Sequence, residues 1–111
     1  MMKYTIHITR AAEKDLISAA DYIEFVLLNP QAADDFLDEA ETKIYELGIF
    51  PGKYSLVDDP VLKSWGIRLT VIKNYIAFYI ISDSEQKIYV VRFLYGKRNW
   101  INILKLGFSL E

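Results

Sequence analysis

The sequence predicts an α+β domain in which a helix hairpin packs on an antiparallel sheet, in the order β-α-α-β-β-β, with a short C-terminal helix. Two observations lead to this fold class. Apolar residues recur three and four positions apart through two stretches between residues 10 and 48, and three β-rich runs follow between residues 67 and 95. A chain of 111 residues is the size of one domain, so we expect a single domain over residues 1–111.

The opening residues 4–8 alternate around β-branched side chains and predict a first strand. Thr9 is a suitable N-cap for the helix that follows. One apolar stripe along that helix is formed by Leu16, Ala20, Ile23 and Leu27. Asn29-Pro30 then predicts a break and a new helix, because Asn caps well and proline costs nothing at the first helical position.

The second predicted helix is amphipathic and should end at Gly48. Its apolar side is formed by Ala33, Phe36, Leu37, Ala40, Ile44 and Leu47. Its other side is formed by Asp34, Asp35, Asp38, Glu39, Glu41 and Glu46. These carboxylates resemble paired catalytic acids, but their spacing is what a solvated helix face gives, and we favour that interpretation. Residues 49–65 are expected to form a loop.

Three strands separated by short turns predict an antiparallel meander, since two- to four-residue turns join only adjacent antiparallel strands. Residues 67–72 alternate, and Lys73-Asn74 is a tight turn. Residues 75–81 are almost wholly apolar, as in a central strand covered on both faces. Residues 87–95 form the third strand, and residues 99–106 are expected to form a short helix with Trp100 turned inward.

Composition excludes several kinds of site. The chain has no cysteine, so it has no disulfide and no thiolate chemistry. His7 is its one histidine and lies within a predicted strand, so we expect neither a catalytic histidine nor a metal site. No glycine-rich phosphate loop or nucleophile elbow is present, and we expect no cofactor. No long apolar run or signal peptide is visible, which predicts a cytoplasmic protein without membrane contact.

The charges are divided between the two halves of the chain. Residues 1–60 carry five Lys/Arg and twelve Asp/Glu, whereas residues 61–111 carry eight and three, so the net charges are −7 and +5. Basic side chains interleaved with tyrosines suit nucleic acid, and equally an acidic protein surface. For Tyr75 and Tyr79, which share one strand face, we favour a place in the core. For Lys97 and Arg98, just past a strand end, we favour a functional surface.

The order of several motifs resembles the RelE/ParE superfamily of type II toxin–antitoxin toxins over nearly the whole chain. The motifs are Ala12-x-x-Asp15-Leu16, Asn29-Pro30-x-Ala32-Ala33, Gly66-Ile67-Arg68, Asn74-Tyr75-x-x-x-Tyr79 and the run from Val91 to Trp100. The resemblance implies one of two activities. RelE-like members cut mRNA on the ribosome without metal, and ParE-like members are described as poisons of DNA gyrase.

The resemblance favours the ParE-like branch. Where the nuclease branch has an arginine after the first tyrosine of the Tyr-x-x-x-Tyr strand, this chain has Ile76. The resemblance therefore implies a toxin that binds a cellular target, for which DNA gyrase is the candidate. The candidate target-binding residues are Tyr95, Lys97, Arg98 and Trp100. As a nuclease, the alternative, the chain would use Arg68, Arg92, Tyr95 and Arg98. A degenerate homologue that only binds antitoxin is the third alternative.

All three alternatives imply a cognate antitoxin, with which the toxin would form a hetero-oligomer that masks its active surface. The apolar strand suits such a partner if one of its faces lacks helix cover, and the candidate antitoxin-binding residues are Ile76, Phe78 and Ile80. The other interpretation of the same residues is that the final helix, around Trp100 to Leu106, covers this face within the chain.

Overall fold

A computed structural model describes residues 3–111 and confirms the predicted fold class and element order. Within residues 3–111, four strands and four α-helices follow one another. They are β1 (Thr5–Ile8), α1 (Arg10–Asp21), α2 (Pro30–Ile49), α3 (Pro60–Ser64), β2 (Arg68–Ile72), β3 (Tyr75–Ser82), β4 (Lys87–Tyr95) and α4 (Trp100–Lys105), with a π-helical segment (Tyr22–Val26) extending α1. The short helix α3 lies in the stretch predicted as a loop. It is capped by Asp59, whose Oδ2 accepts from the backbone of Val61 and Leu62, at 3.1 Å in each case.

The four strands form one sheet in the order β1-β4-β3-β2. β2, β3 and β4 are the predicted antiparallel meander. β1 is parallel to β4, with Thr5 opposite Lys87 and Ile8 opposite Val90, so the sheet is mixed and not wholly antiparallel as expected. Short turns fix the direction of the three later strands. No turn joins β1 to its neighbour, so its direction depends on how the helix hairpin returns the chain.

Both predicted N-caps are confirmed. The Thr9 hydroxyl accepts from the backbone N–H of Ala12 at 3.2 Å and donates to the carbonyl of Val91 at 3.2 Å. The Asn29 side chain accepts from the backbone N–H of Ala32 at 3.0 Å, and Pro30 occupies the first turn of α2. The two caps set where each arm of the helix hairpin begins, because they satisfy N–H groups that the first turn leaves free.

Gly48 was predicted to end the second helix, and this was wrong. α2 continues to Ile49, and Gly48 lies in its last turn. The backbone N–H of Tyr4 donates to the Gly48 carbonyl at 2.9 Å. A Cβ on Gly48 would lie 3.0 Å from the carbonyl oxygen of Tyr4. The glycine is therefore needed where the helix touches the start of β1, and not as a terminator.

Side chains from both faces of the sheet are buried, as predicted for the central strand. On one face, the core contains Ala77 and Tyr79 of β3 together with apolar residues of the helix hairpin. On the other face, Phe78 packs with Leu104 of α4 and Leu62 of α3. The protein thus has three layers, with the sheet between the helix hairpin and the two short helices.

Helix α1 runs beside β4 where β1 no longer covers it. β1 pairs with β4 only as far as Val90. Beyond that point the Asp15 carboxylate accepts from the backbone N–H of Phe93 at 3.1 Å. The same carboxylate accepts two bonds from the Arg92 guanidinium, one of them 3.0 Å between Nη2 and Oδ1. Asp15 therefore replaces the missing strand and holds α1 against β4.

We expect Asp15→Asn to lower the free energy of unfolding by about 2–3 kcal/mol, because charge-assisted bonds are lost and the half-buried Arg92 loses its counter-charge. Urea denaturation measures the change. Asp21→Asn is the matched control, since Asp21 is exposed at the end of α1, and it should change stability by less than about 0.5 kcal/mol. Equal stability of the two variants would contradict the role given to Asp15.

We expect stability to fall between pH 10 and 12 through Tyr79. Burial raises the pKa of Tyr79 from 10.0 to about 12, and its hydroxyl donates to the Pro51 carbonyl at 3.2 Å. The unfolded chain loses this proton first, so the contribution is complete below pH 10 and is lost towards pH 12. Thermal unfolding of Tyr79→Phe across this range should show a shallower decline than wild type, with the exposed Tyr45→Phe as control. Parallel curves would refute this assignment.

Candidate functional site

The residues after β4 form a turn that leads directly into α4. The backbone N–H of Gly96 donates to the Asn74 carbonyl at 2.8 Å, and that of Arg98 donates to the Tyr95 carbonyl at 3.0 Å. A Cβ on Gly96 would lie 3.3 Å from the Asn74 oxygen, so glycine lets the two turns approach closely. The turn exposes Lys97 and Arg98 to solvent, where a partner can reach them.

Two tyrosines form the wall beside this turn. Tyr95, the last residue of β4, is paired with Tyr75, the first residue of β3. Their rings meet edge to face with centroids 5.6 Å apart, and Tyr75 also packs on Phe36 at 5.1 Å. Burial raises the pKa of Tyr75, and the neighbouring Tyr22 and Tyr95 raise it further. The Tyr75 ring, held against Phe36, supports the partly exposed Tyr95.

A groove runs from the joint of the helix hairpin to the turn after β4. It consists of two cavities that share Tyr75 and Tyr95 as walls. The larger has a volume of about 450 Å³ and is lined by Tyr22, Ile23, Leu27, Lys73, Asn74, Tyr75 and Tyr95. The smaller has a volume of about 170 Å³ and is lined by Asp15, Ser18, Ala19, Tyr75, Phe93, Tyr95 and Arg98. Tyr95 and Arg98, two of the candidate target-binding residues, thus line one small cavity.

Neither of the two exposed cations of the turn is paired with an acid in the part of the chain that the structure describes. Across residues 3–111 the ion pairs are Lys53–Glu46, Lys73–Glu39, Arg92–Asp15 and Lys105–Asp59. Lys97 and Arg98 belong to none of these. Their charge is therefore available to an anionic group at the end of the groove.

Trp100 lies mainly inside the fold. Its ring packs on Phe78 with centroids 5.1 Å apart, and the residue is only partly exposed as the first residue of α4. The inward orientation agrees with the expectation for the final helix. Its packing anchors α4 and fixes where the preceding Lys97 and Arg98 lie, so its proposed contact with a target would involve only the exposed part of the ring.

No group of three or more metal-ligating side chains occurs in the described part of the chain, and no helix there is long and apolar enough to cross a membrane. His7 contacts the Glu111 carbonyl at 3.2 Å and the ring of Tyr89 at 5.7 Å. The acidic side of α2 is mostly exposed. Glu39 accepts from the backbone N–H of Lys73 at 3.1 Å, tying α2 to the turn between β2 and β3.

Comparison with known proteins identifies the family. Residues 6–100 match the family described as the ParE toxin of type II toxin–antitoxin system, parDE. The chain belongs to the ParE toxin family. This confirms the resemblance to the RelE/ParE superfamily, and it agrees with the preference for the ParE-like branch. No curated protein sequence matches the chain.

Two solved structures share the fold of this ParE family member. One, the chromosomal ParDE toxin–antitoxin system from P. aeruginosa, aligns with a TM-score of 0.68 at 18% identity, covering 86% of this chain and 98% of that one. The other, the RelBE2 toxin–antitoxin complex from Mycobacterium tuberculosis, aligns with a TM-score of 0.56 at 18% identity, covering 84% and 98%. At this identity the likeness shows the fold alone.

Two of the candidate nuclease residues take part in bonds that hold the fold. The Arg92 guanidinium is bound to Asp15, and Arg68 Nη1 donates to the Tyr54 carbonyl at 2.6 Å. Ile76, at the position where nuclease-branch members have arginine, is partly buried against the α4 side of the sheet. Tyr95 and Arg98 are therefore the two members of the predicted nuclease set that a substrate could reach without breaking these bonds.

The face predicted to bind an antitoxin is covered by the chain's own C-terminal helix. Phe78 is fully buried, and Ile76 and Ile80 pack at the margin of the same cluster, which includes Leu104 of α4. This is the second of the two interpretations given to the apolar strand. A partner could touch Phe78 only if α4 moved, whereas the exposed parts of Ile76 and Ile80 are accessible at the rim.

Sequence reasoning missed the wall of the groove formed by Tyr22 and Leu27. Leu27 was expected on the buried stripe of the first helix, but 57% of it is exposed. The helix widens here, because the backbone N–H of Leu27 donates to the carbonyl of Tyr22, five residues earlier, at 3.0 Å. The widening shifts the helical phase and turns Leu27 outward. The signal in the sequence is a seven-residue run, residues 22–28, with more apolar side chains than one helix face can bury.

Proposed function

We propose that this toxin arrests growth in the cytoplasm by binding a cellular protein target, with DNA gyrase the first candidate, and does not act by cutting RNA. Tyr95, Lys97 and Arg98, with the exposed part of Trp100, would form the contact surface. A cognate antitoxin would neutralise the toxin in a hetero-oligomer. Support for that partner comes from the two solved structures of the same fold, both of toxin–antitoxin systems.

The observation that carries this proposal is that some basic side chains of the candidate sites are bound within the fold and others are exposed and unpaired. Cleaving RNA without metal requires a base and at least one cation aimed at the same phosphate. Arg92 is neutralised by Asp15, Arg68 is held by the Tyr54 carbonyl, and Ile76 replaces the arginine of the nuclease branch. Among the basic residues of the candidate sites, Lys97 and Arg98 form no ion pair within the described chain and lie on an exposed turn, where they suit contact with an acidic surface.

A ribosome-dependent nuclease is the second candidate, and one observation favours it. Tyr95 and Arg98 line the same small cavity, so a phenol and a guanidinium could act on one phosphate there. Neither Lys97 nor Arg92 is among the described residues that line this cavity, and Arg92 is bound to Asp15, so the pair lacks a second cation of the kind that spreads charge over a pentavalent phosphate. This makes the second candidate the weaker one.

We expect induction of the wild-type chain to stop growth while translated mRNA stays intact, and the purified chain to inhibit supercoiling by gyrase. Arg98→Ala should raise the concentration for half-inhibition at least about ten-fold, as for a central charged contact, without changing the unfolding midpoint. Arg10→Ala is the matched control, because Arg10 is also exposed but lies at the start of α1, away from the groove.

The alternatives give different results in the same experiment. Primer-extension stops within codons on translating ribosomes, lost in Arg98→Ala, would establish the nuclease and refute the binding mechanism. Normal growth after induction of folded wild-type protein would instead indicate a degenerate homologue that retains only antitoxin binding. Growth arrest with intact mRNA but unaffected gyrase would leave a binding toxin with a target other than gyrase.

A further inference from the structure

The layer formed by α3 and α4, on the side of the sheet away from the helix hairpin, carries apolar side chains that the candidate site does not use. Leu106, at 90%, is the most exposed large apolar side chain among the described residues, and Trp65 is 44% exposed. Single exposed apolar side chains are ordinary, but a cluster of them on a small protein indicates a contact site. The cluster consists of Val61, Trp65, Leu106, Phe108 and Leu110, and we call it the α3–α4 patch.

An ion pair joins the two helices that carry the patch. Lys105 Nζ, at the end of α4, lies 3.1 Å from Asp59 Oδ1, at the start of α3. Val61 follows Asp59 by two residues, and Leu106 follows Lys105 directly. The ion pair therefore brings these two exposed apolar side chains to the same side of the molecule.

The turn after α4 completes the patch. The chain reverses at Gly107, where φ is 109°, so that Leu106 lies at the tip of the turn. Phe108 then returns to the fold, and its ring meets that of Trp65 edge to face, with centroids 6.2 Å apart. The aromatic pair thus lies beside the protruding leucine, and the members of the patch form one surface.

The stability of the fold does not explain why the patch is apolar. The same two helices bury other side chains, and Leu62 of α3 and Leu104 of α4 are fully inaccessible in the core below. Only apolar area that is removed from water contributes to stability. Leu106 contributes almost none in the isolated chain, so contact with a partner is the better explanation of its position.

Helix α4 connects the patch with the cations of the turn after β4. Lys97 and Arg98 shortly precede α4, and Leu106 follows its last residue. At 1.5 Å per residue the helix spans about 9 Å, and a specific interface takes about 20–30 residues from each partner. A target that covers Lys97 and Arg98 with an interface of ordinary size would therefore also reach Leu106.

The segments that build this surface carry cations and no acids. Residues 60–65 and 95–110 contain four Lys/Arg and no Asp or Glu. Lys105 is paired with Asp59, and the other three form no ion pair within the described residues. Asp58 and Glu111 adjoin the two segments in sequence. The surface is therefore apolar at one end of α4, positively charged at the other, and bordered by two carboxylates.

A protein partner fits this pattern better than a lipid surface, a nucleic acid or a second copy of the chain. Asp58 and Glu111 would repel anionic lipid, and aliphatic side chains offer bases no stacking platform. In a symmetric dimer the same surface meets itself. Five side chains are too few for a stable dimer, and extending the contact along α4 would bring the cationic end of one copy towards that of the other.

We propose that the α3–α4 patch is the apolar anchor of the target contact. Leu106 and Trp65 enter an apolar depression of the target protein, and an acidic side chain of the target faces Lys97 and Arg98 at the other end of α4. This deepens the proposed function and rests on it for the statement that the partner is the cellular target. A buried aromatic or aliphatic anchor beside a charged rim is the usual arrangement of a protein interface.

Toxicity per folded molecule tests the anchor. Leu106→Ser should require about ten-fold more folded toxin to arrest growth, because it removes one large apolar contact and leaves the core intact. Trp65→Ala should weaken arrest at least as much. Ile17→Ser is the matched control, since Ile17 is 54% exposed on α1, across the sheet from the patch, and it should arrest growth like wild type. Unfolding midpoints and immunoblots give the folded amount of each variant.

The outcomes separate a failure of the anchor from a failure of the proposed function. If wild type arrests growth with intact mRNA and Leu106→Ser arrests it at the same folded level, the binding toxin stands and the anchor is refuted. If wild type cleaves mRNA, the proposed function fails, and the anchor stands only if Leu106→Ser still weakens arrest. A folded wild type without effect on growth overturns both.

Two further measurements on the purified full chain exclude the other occupants. Phosphatidylglycerol vesicles that sediment wild type but not Leu106→Ser would assign the patch to a lipid surface and overturn the proposal. A wild-type dimer in analytical ultracentrifugation that Leu106→Ser dissociates would assign it to a second copy, with the same consequence. The anchor predicts no sedimentation with vesicles and the same oligomeric state for both proteins.

Discussion

On the side of β4 that faces β1, only four residues are paired with a strand. The remaining backbone groups on that side must form hydrogen bonds elsewhere. Thr9 and Asp15 of the α1 region provide the partners, Thr9 through its hydroxyl and Asp15 through its carboxylate. Because Asp15 also binds the Arg92 guanidinium, one short stretch of helix satisfies the strand edge and neutralises the cation beside it. The position of the helix hairpin over the sheet, and with it one wall of the groove, follows from this contact.

The same contact determines which cations are left for function. Arg92 is held at β4 and Arg68 is held by the Tyr54 carbonyl, whereas the candidate-site cations of the turn beyond β4 form no ion pair with the described residues. That turn is held from both sides, by the Asn74–Gly96 hydrogen bond and by the packing of Trp100 on Phe78. A rigid turn presents Lys97 and Arg98 at low entropic cost, which favours recognition of a surface.

Local signals in the sequence predicted the parts of the fold that are decided locally. Thr9 and Asn29 cap their helices because their side chains reach the adjacent first turn, and the short turns fixed the direction of β2, β3 and β4. The parallel direction of β1 and the role of Gly48 depend on contacts between distant segments. The Asp15–Arg92 pair joins residues 77 positions apart, so Arg92 looked like a candidate for catalysis when its partner was unknown. Leu27 faces outward because a single widened turn changes the phase of the helix, which periodicity alone does not reveal.

For the candidate site, Lys97 and Arg98 are exposed as their place after a strand end suggested, whereas the covering of Phe78 by α4 could be stated only as an alternative.

The central claim is that the cations of the candidate sites divide into those that hold the fold and those that meet a target, and Arg92→Gln tests it most directly. Stability and growth arrest should be measured together, with toxicity normalised to the folded fraction at the growth temperature. The division predicts a lower free energy of unfolding and full toxicity per folded molecule, because Arg92 contacts Asp15 and no target. The contrary result is that the wild type cleaves mRNA, whereas the variant remains folded but has lost both this cleavage and its toxicity. That result would place Arg92 in an active site and contradict the account.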